Sequence, residues 1–236
     1  NIPQTIECSN CTFNSSSAAH ELIIDNQDNP VIVGRYNGTL DFDRENEILG
    51  DIKTSTSSVT DGYVAKYNTL GVLQWVSDFS TENGYSTAIR TDVDANGNTY
   101  TIGRFEGTTD FDNTNETPED THSSSGSTDL FVVKLDSSGQ YVWSKTIGGI
   151  GAEMGTAITL DSDDANIYIT GVFNDSVDFD KAGSHEGDID IKTSLGGNDI
   201  YLGKYNIDGD FVWVKSIGGT GNDWSTKVVS DIQNNV

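Results

Sequence analysis

Several landmarks recur along this chain at intervals of 68 to 70 residues, and this repeat constrains the fold more than any other feature of the sequence. A glycine, an Asp-Phe-Asp motif, a lysine and a tryptophan each occur three times at this spacing. Their positions are Gly34, Gly103 and Gly171; Asp41-Phe42-Asp43, Asp110-Phe111-Asp112 and Asp178-Phe179-Asp180; Lys66, Lys134 and Lys204; and Trp75, Trp143 and Trp213. Self-similarity at a fixed period indicates an array of similar structural units.

Each unit is predicted to contain four short β-strands. In the middle unit the predicted strands are residues 87–92, 98–105, 129–135 and 141–147. Apolar and polar residues alternate within these segments, as is typical of strands that are buried on one face. Turn-forming residues separate the strands, and the presence of 25 glycines but only 3 prolines fits a β-protein with many turns.

Four antiparallel strands repeated along a chain are typical of the blades of a β-propeller, which is the all-β fold that we expect. A β-solenoid is the alternative, but its rungs are shorter. We expect full blades at residues 19–87, 88–156 and 157–226, and the start of a further blade at 227–236. A closed propeller usually has about four to eight blades, so the chain is expected to continue.

Residues 1–18 are a candidate closing strand for the last blade of the ring. The segment Gln4-Thr5-Ile6 resembles Lys145-Thr146-Ile147, which ends a predicted fourth strand. Cys8 and Cys11 follow at the place where other units have a glycine-rich turn, and residues 149–155 are predicted to be such a turn between two blades. A disulfide between the two cysteines is the leading interpretation in an exported protein, and a redox motif or half of a zinc site are the alternatives.

The charge of the chain restricts its partners. Thirteen basic and 37 acidic residues give a formal net charge of −24. Such a chain repels nucleic acid and anionic membrane surfaces, and no apolar stretch approaches the roughly 20 residues that a membrane-spanning helix needs. Cations, basic proteins and glycans remain as partners.

The second unit resembles the bacterial β-propeller repeat family called SBBP. The resemblance lies in residues 98–105, in Thr109-Asp110-Phe111-Asp112, and in residues 127–136 and 139–149; the third unit repeats it. The first unit departs from the pattern, because Asp78-Phe79-Ser80-Thr81-Glu82 stands where the others have a glycine-rich turn. The resemblance implies a secreted or cell-surface protein of the kind found in Bacteroidota, with export by the type IX system as an expectation. The family fixes no catalytic residues.

Two sets of acidic residues are candidate calcium ligands, because carboxylate and amide oxygens suit this cation. The first set is Asp92, Asp94 and Asn96. The second set is formed by the Asp-Phe-Asp motifs, with Asp110, Asp112, Asp178 and Asp180 as its members. Asx turns are the favoured alternative for the first set, since the equivalent segments 25–28 and 161–164 lose the spacing. For the second set the favoured alternative is structural, with the phenylalanine buried and the aspartates capping turns.

Three functions remain open at this point. The first is a non-enzymatic binding, adhesion or scaffold module of an exported bacterial protein, whose partners are a protein or glycan at the cell surface or proteins of the secretion machinery. The second is a propeller enzyme that hydrolyses or cleaves glycans, and the third is a structural spacer. An enzyme is expected to gather polar residues from several blades at one mouth of the central channel. The three histidines, His20, His122 and His185, do not occupy equivalent positions, so surface positions are expected for them.

Overall fold

The computed structural model describes residues 16–45, 51–55, 59–112, 120–181 and 190–236. These residues form sixteen β-strands and no helix. Accordingly, this part of the chain has no helix with the length and hydrophobicity needed to cross a membrane. The predicted all-β class is confirmed.

Three four-stranded antiparallel sheets follow one another, and each is a blade of a β-propeller. The first blade contains β1 (Ser16–Ile24), β2 (Pro30–Asn37), β5 (Asp61–Tyr67) and the beginning of β6 (Leu73–Val93). The second blade contains the end of β6, β7 (Thr99–Asp110), β9 (Asp129–Leu135) and β10 (Tyr141–Gly149). The third blade contains β11 (Met154–Leu160), β12 (Asn166–Phe173), β15 (Asp199–Asn206) and β16 (Phe211–Ile217). The predicted boundaries at 18/19, 87/88 and 156/157 fall inside the first strand of each blade.

Each blade carries an insertion between its second and third strands, and the base of each insertion is a short antiparallel ladder. The strands of these ladders are β3 (Thr39–Asp41) with β4 (Ile52–Thr54), the end of β7 with β8 (Thr121–Ser123), and β13 (Ser176–Asp178) with β14 (Ile191–Thr193). We call these three ladders the necks. The last residues of β10 pair with β13, so the neck of one blade adjoins the outer strand of the preceding blade.

The first crossover between blades differs from the second because β6 runs through it without a break. This strand has 21 residues. Its first part pairs with β5 and its second part with β7, with a register shift between Glu82 and Tyr85. The departure of residues 78–82 from the repeat is therefore an extended strand in place of a loop. The predicted turn at 149–155 joins β10 to β11, with residues 150–153 lying between the two strands.

The recurring glycine is required by a bulge in the first strand of each blade. One extra residue interrupts the pairing of the first strand with the second, and the three extra residues are His20, Ile89 and Thr156. The glycine of the second strand lies opposite the bulge. A Cβ atom at Gly103 would overlap the carbonyl oxygen of Thr87 and lie 2.5 Å from the ring of Phe131. Gly34 and Gly171 are equally close to Ala18 and Met154.

Apolar side chains fill the spaces between successive blades. Phe79 of the first blade packs against Phe111 and Phe131 of the second, with ring centroids 5.3 and 5.5 Å away. A second cluster joins the second and third blades and includes Ile102 and Ile169, which are fully buried. Burial of such side chains contributes roughly 1.5–3 kcal/mol each, so the interfaces between blades form the core of the protein.

The three tryptophans occupy equivalent positions in the fourth strands, as predicted. Trp75, Trp143 and Trp213 pair with Lys66, Lys134 and Lys204, respectively. All three are of intermediate burial, so each keeps part of its ring in contact with solvent. Trp75 shows the reason: its ring covers the turn at Gly139 of the next blade, and its Nε1 donates a hydrogen bond to the Ser137 carbonyl at 3.1 Å, at an edge open to solvent.

We predict that Gly103→Ala destabilises the protein by about 2–3 kcal/mol, because the new methyl group must displace backbone that is fixed by the sheet. The control is Gly221→Ala, where a Cβ atom would meet nothing within 4 Å. Urea unfolding measures both changes. Equal free energies of unfolding for the two variants would contradict the role assigned to this glycine.

The third strand of the first blade begins with a buried aspartate, Asp61. Because of this residue we predict that the stability of the protein depends on pH. Burial raises the pKa of Asp61 from 3.8 to about 7, and the charge of Asp78 adds to this effect. The folded state therefore binds more protons than the unfolded state between these values, so the free energy of unfolding falls as pH rises from about 4 to about 7. Asp61→Asn should make this fall smaller. Unfolding measured at pH 5 and pH 8 tests this, and an unchanged difference between the two pH values would refute it.

Candidate functional site

The first strands of successive blades run side by side, as do the strands that line the central channel of a propeller. Side chains connect each of them to the next. Glu21 Oε2 accepts a hydrogen bond from the backbone N–H of Thr91 at 2.7 Å, and Asp92 Oδ2 accepts one from the N–H of Leu160 at 2.8 Å. These bonds give partners to backbone groups on the free edge of a sheet, which would otherwise be unpaired.

A cavity of about 300 Å³ opens between these first strands. Its lining residues are His20, Glu21, Arg90, Ala157, Ile158, Thr226, Lys227 and Val228. Glu21, Arg90, Ala157 and Lys227 follow one another at intervals of 69, 67 and 70 residues, so they occupy one position of the repeat. This volume is at the lower end of the range for small-molecule sites.

The cavity combines two cations with one carboxylate. Arg90 Nε lies 3.5 Å from Glu21 Oε1. Burial raises the pKa of the Glu21 carboxyl above its ordinary value, although the hydrogen bond from Thr91 and the charges of Arg90 and Lys227 oppose this shift. His20 adds an imidazole, whose Nδ1 lies 2.7 Å from the Ala88 carbonyl oxygen. Asp92 adds a second carboxylate beside Glu21, and Arg90 and Lys227 are the lining residues that suit an anionic group of a ligand.

Sequence reasoning did not single out these charged residues. Their type varies from unit to unit, whereas the landmarks that revealed the repeat keep theirs. The period itself was the available signal, because counting one repeat from Glu21 reaches Arg90. The bulge at His20 was the missing information, since it determines which side chains of the strand face the channel.

The structure places the first set of predicted calcium ligands in a turn and at a blade contact. Asp94 Oδ1 accepts the backbone N–H groups of Asn96 and Asn98 at 2.9 Å, and its Oδ2 accepts the Asn98 side chain at 2.7 Å. The aspartates at equivalent positions each accept two backbone N–H groups and an asparagine side chain; they are Asp25, Asp161 and Asp231. This is the Asx turn that was favoured for Asp94. Asp92 bonds to the next blade, and Asn96 is exposed.

The second set lies at the necks. Asp110 Oδ1 accepts the N–H of Asp112 at 2.9 Å, and Asp178 Oδ1 accepts the N–H of Asp180 at the same distance. Phe111 and Phe179 are buried, as expected, whereas Phe42 of the first motif is only partly buried. Each phenylalanine N–H bonds to the carbonyl of an aspartate that closes the insertion, at Asp51, Asp120 or Asp190. The described residues include no group of three or more His, Cys, Asp or Glu that could hold a metal. Calcium binding by either set stays a prediction.

The remaining candidates divide between the interior and the undescribed segments. His122 was expected at the surface, but it is partly buried, and its Nε2 lies 2.9 Å from Ser144 Oγ. Burial lowers the pKa of His122. Cys8, Cys11 and His185, together with residues 1–15 of the proposed closing segment, lie outside the described residues, whereas residues 16–18 belong to β1 and pair with β2.

Comparison with known proteins identifies a distant relative. No family model matches the chain. The chain is 24% identical over 237 residues to a protein of Acanthamoeba polyphaga mimivirus that is named an uncharacterized WD repeat-containing protein. The match covers 87% of this chain but 17% of the viral protein, so the chain spans only a small part of that relative. WD repeats form propeller blades of four strands, which agrees with the fold described above.

We predict that Glu21→Ala costs about 1–3 kcal/mol of stability, because the buried N–H of Thr91 loses its acceptor. Glu21→Gln keeps an acceptor oxygen and should cost clearly less. Urea unfolding of the two variants compares them. If both lose the same amount, the charge contact with Arg90, and not the bond to Thr91, is what Glu21 contributes.

Proposed function

We propose that this chain is a non-enzymatic binding module, a propeller scaffold that engages a protein or glycan partner. The observation that carries the proposal is that the three insertions have similar necks but different sequences beyond them. Their necks are alike, with an Asp-Phe-Asp turn and a polar pair across the ladder, such as Thr39 with Thr54 at 3.0 Å and Thr108 with Ser123 at 2.8 Å. The sequences that the necks carry differ in length and composition. Fixed bases with variable loops are typical of recognition surfaces.

The topology directs all three insertions to the same face. Connections between antiparallel strands alternate between the two ends of a blade, so the second-to-third connections share one end and the third-to-fourth turns share the other. We call the first end the insertion face and the second the turn face. The WD repeat relative supports the proposal, since proteins of this class generally mediate protein interactions.

We further propose that the protein is secreted or lies at the bacterial cell surface, as the SBBP resemblance implies. On this proposal its partner is a surface protein, a glycan or a component of the secretion machinery. Calcium bound at the necks, through residues such as Asp112 and Asp180, belongs to the same proposal. The acidic necks support it through their oxygen ligands.

A glycan-cleaving enzyme is the second candidate, and the channel cavity is the observation that favours it. Residues of several blades meet there, as an enzyme requires. The lining of the cavity includes one carboxylate, that of Glu21, whereas glycosidases use a pair of them. The described residues therefore fit a lyase better than a hydrolase, with Arg90 or Lys227 binding an acidic sugar. Incubation with a uronate-containing polysaccharide tests this candidate by the appearance of unsaturated ends, which should be lost in Arg90→Ala.

Photo-crosslinking from the two faces tests the binding module. A photoreactive amino acid is placed singly at three exposed, equivalent positions of the insertion face, Thr54, Ser123 and Thr193, and each variant is mixed with a cell-surface extract of the producing organism. We expect the same adduct from more than one of these positions, because a partner that docks on this face contacts neighbouring necks.

Three equivalent positions of the turn face serve as matched controls, namely Leu70, Ser138 and Asp208, which are also exposed. They should give no adduct of that size. Adducts of equal yield from both faces, or none from the insertion face, would refute the assignment of this face. A glycan array probed with the unmodified protein provides the corresponding test for a carbohydrate partner.

A further inference from the structure

The crossover from the second to the third blade brings together two completely buried carboxylates. Asp129 begins β9 and Glu153 immediately precedes β11, and both have 0% exposure. The backbone fixes their positions, because the N–H of Glu153 donates to the carbonyl of Thr128 at 2.7 Å. Gly148 packs directly against the Asp129 carboxylate, where a Cβ atom would overlap it.

Each carboxylate uses only one of its oxygens in hydrogen bonds. Asp129 Oδ2 accepts the N–H of Ser125 at 3.1 Å and lies 3.4 Å from Lys181 Nζ. Glu153 Oε2 accepts the N–H of Gly149 at 2.8 Å. The other two oxygens, Asp129 Oδ1 and Glu153 Oε1, are buried and have no hydrogen-bond partner. A buried carboxylate oxygen without a partner is costly, so this arrangement calls for a further positive or donating group.

The buried charges around the two carboxylates also leave a deficit of positive charge. One ammonium, that of Lys181, faces two carboxylates. Burial, together with the charge of Asp129, raises the pKa of Glu153 from 4.5 to about 7, although backbone hydrogen bonds from Gly149 and Asn174 and the charge of Lys181 oppose the shift. Lys181 contacts Asp129 on the oxygen that is already bonded, which leaves Oδ1 and Oε1 available to another cation.

The other crossovers show when the unpartnered oxygen occurs. At the third blade, Asp199 Oδ1 is again buried without a partner, and an acid takes the place of Glu153: Asp223 accepts the N–H of Gly219 at 2.9 Å. At the first crossover the equivalent residue is Ser86, whose N–H donates to the Thr60 carbonyl at 2.8 Å as that of Glu153 does to Thr128. There Asp61 Oδ1 accepts the N–H of Thr81 at 3.0 Å, within the unbroken strand β6. The free oxygen thus accompanies the second acid.

We propose that Asp129 Oδ1 and Glu153 Oε1 bind a calcium ion that joins the second and third blades. Calcium takes six to eight oxygen ligands and accepts backbone carbonyls and water beside carboxylates, so two carboxylates can anchor it. Asp199 and Asp223 form the corresponding pair at the next crossover. This site is distinct from the predicted sets at Asp92 and at the necks, and it does not depend on the proposed binding function.

Thermal unfolding in calcium and in chelator tests the site. For the wild-type protein we expect the midpoint to rise by about 5–10 °C at a calcium concentration near 100 times Kd. Glu153→Gln preserves the shape but removes the charge, so its midpoint should respond to calcium by less than about a quarter of that rise. In chelator the variant should be at least as stable as the wild type, because it lacks a buried, uncompensated charge.

Two further variants separate this site from the alternatives. Asp61→Asn changes the equivalent residue of the crossover that has no acid at the position of Glu153, and it should retain the full response. Asp112→Asn removes a neck carboxylate. If Asp112→Asn abolishes the response and Glu153→Gln does not, the ion binds at the neck and the crossover site is refuted.

Terbium luminescence gives a readout that does not depend on stability. Tyr201 lies near Glu153, whose charge contributes to raising the tyrosine pKa, and its hydroxyl donates to the Met154 carbonyl at 3.4 Å. Terbium at the site should therefore be excited through Tyr201, with emission that calcium displaces and that Glu153→Gln removes. No emission and no calcium-dependent midpoint in the wild type would overturn the proposal. The proposal would also be overturned if the unfolding midpoint of Glu153→Gln exceeded that of the wild type by the same amount in calcium and in chelator. The two carboxylates of the wild type would then be held together by a shared proton and not by calcium.

Discussion

The close approach of the first and second strands at the recurring glycine is the constraint on which the rest of the structure depends. A side chain at Gly103 would push β6 away from β7, and the bulge at Ile89 could not form opposite it. The bulge changes the alternation of the first strand, so that Arg90 faces the channel cavity while Thr91 directs its N–H to the preceding blade. One glycine in each blade therefore sets both the packing between the strands and the composition of the channel.

Aspartate is the second recurring element, and its main role in this chain is to bind backbone. Asp94 closes a turn between the first two strands, Asp110 closes a neck, and Asp129 holds the loop after the insertion. In each case one oxygen receives N–H groups that a loop would otherwise leave unpaired. This use explains how a domain with 37 acidic residues can fold around them. It also shows why the crossover is exceptional, since there the acceptor oxygens outnumber the donors.

The repeat was sufficient to predict the fold, because a period with four alternating segments leaves few architectures. It also located the strands of the second blade to within a few residues and aligned the three tryptophans. It could not predict the burial of Trp75, which depends on how far the turn at Gly139 covers the ring. Nor could it assign Asp94, because an Asp-x-Asn segment looks the same whether its oxygens face a cation or their own backbone. The charged residues of the channel could not be predicted for a related reason, since Glu21 and Arg90 come together only where two sheets make contact.

The distribution of hydrogen bonds separates the two ends of the blades and bears on where a ligand binds. On the turn face, aspartates such as Asp94 and Asp136 spend their oxygens on their own turns, so these residues have little capacity left for a partner. On the insertion face, the backbone of each neck is fixed by the Asp-Phe-Asp motif, so exposed neck side chains such as Thr54 and Ser123 can vary without loss of the fold. The period of 68 to 70 residues exceeds the roughly 40–45 of a WD repeat, and the insertions account for much of the excess. Sequence added at one end of every blade enlarges one face of the propeller only, which makes that face the place where this chain differs from a minimal propeller.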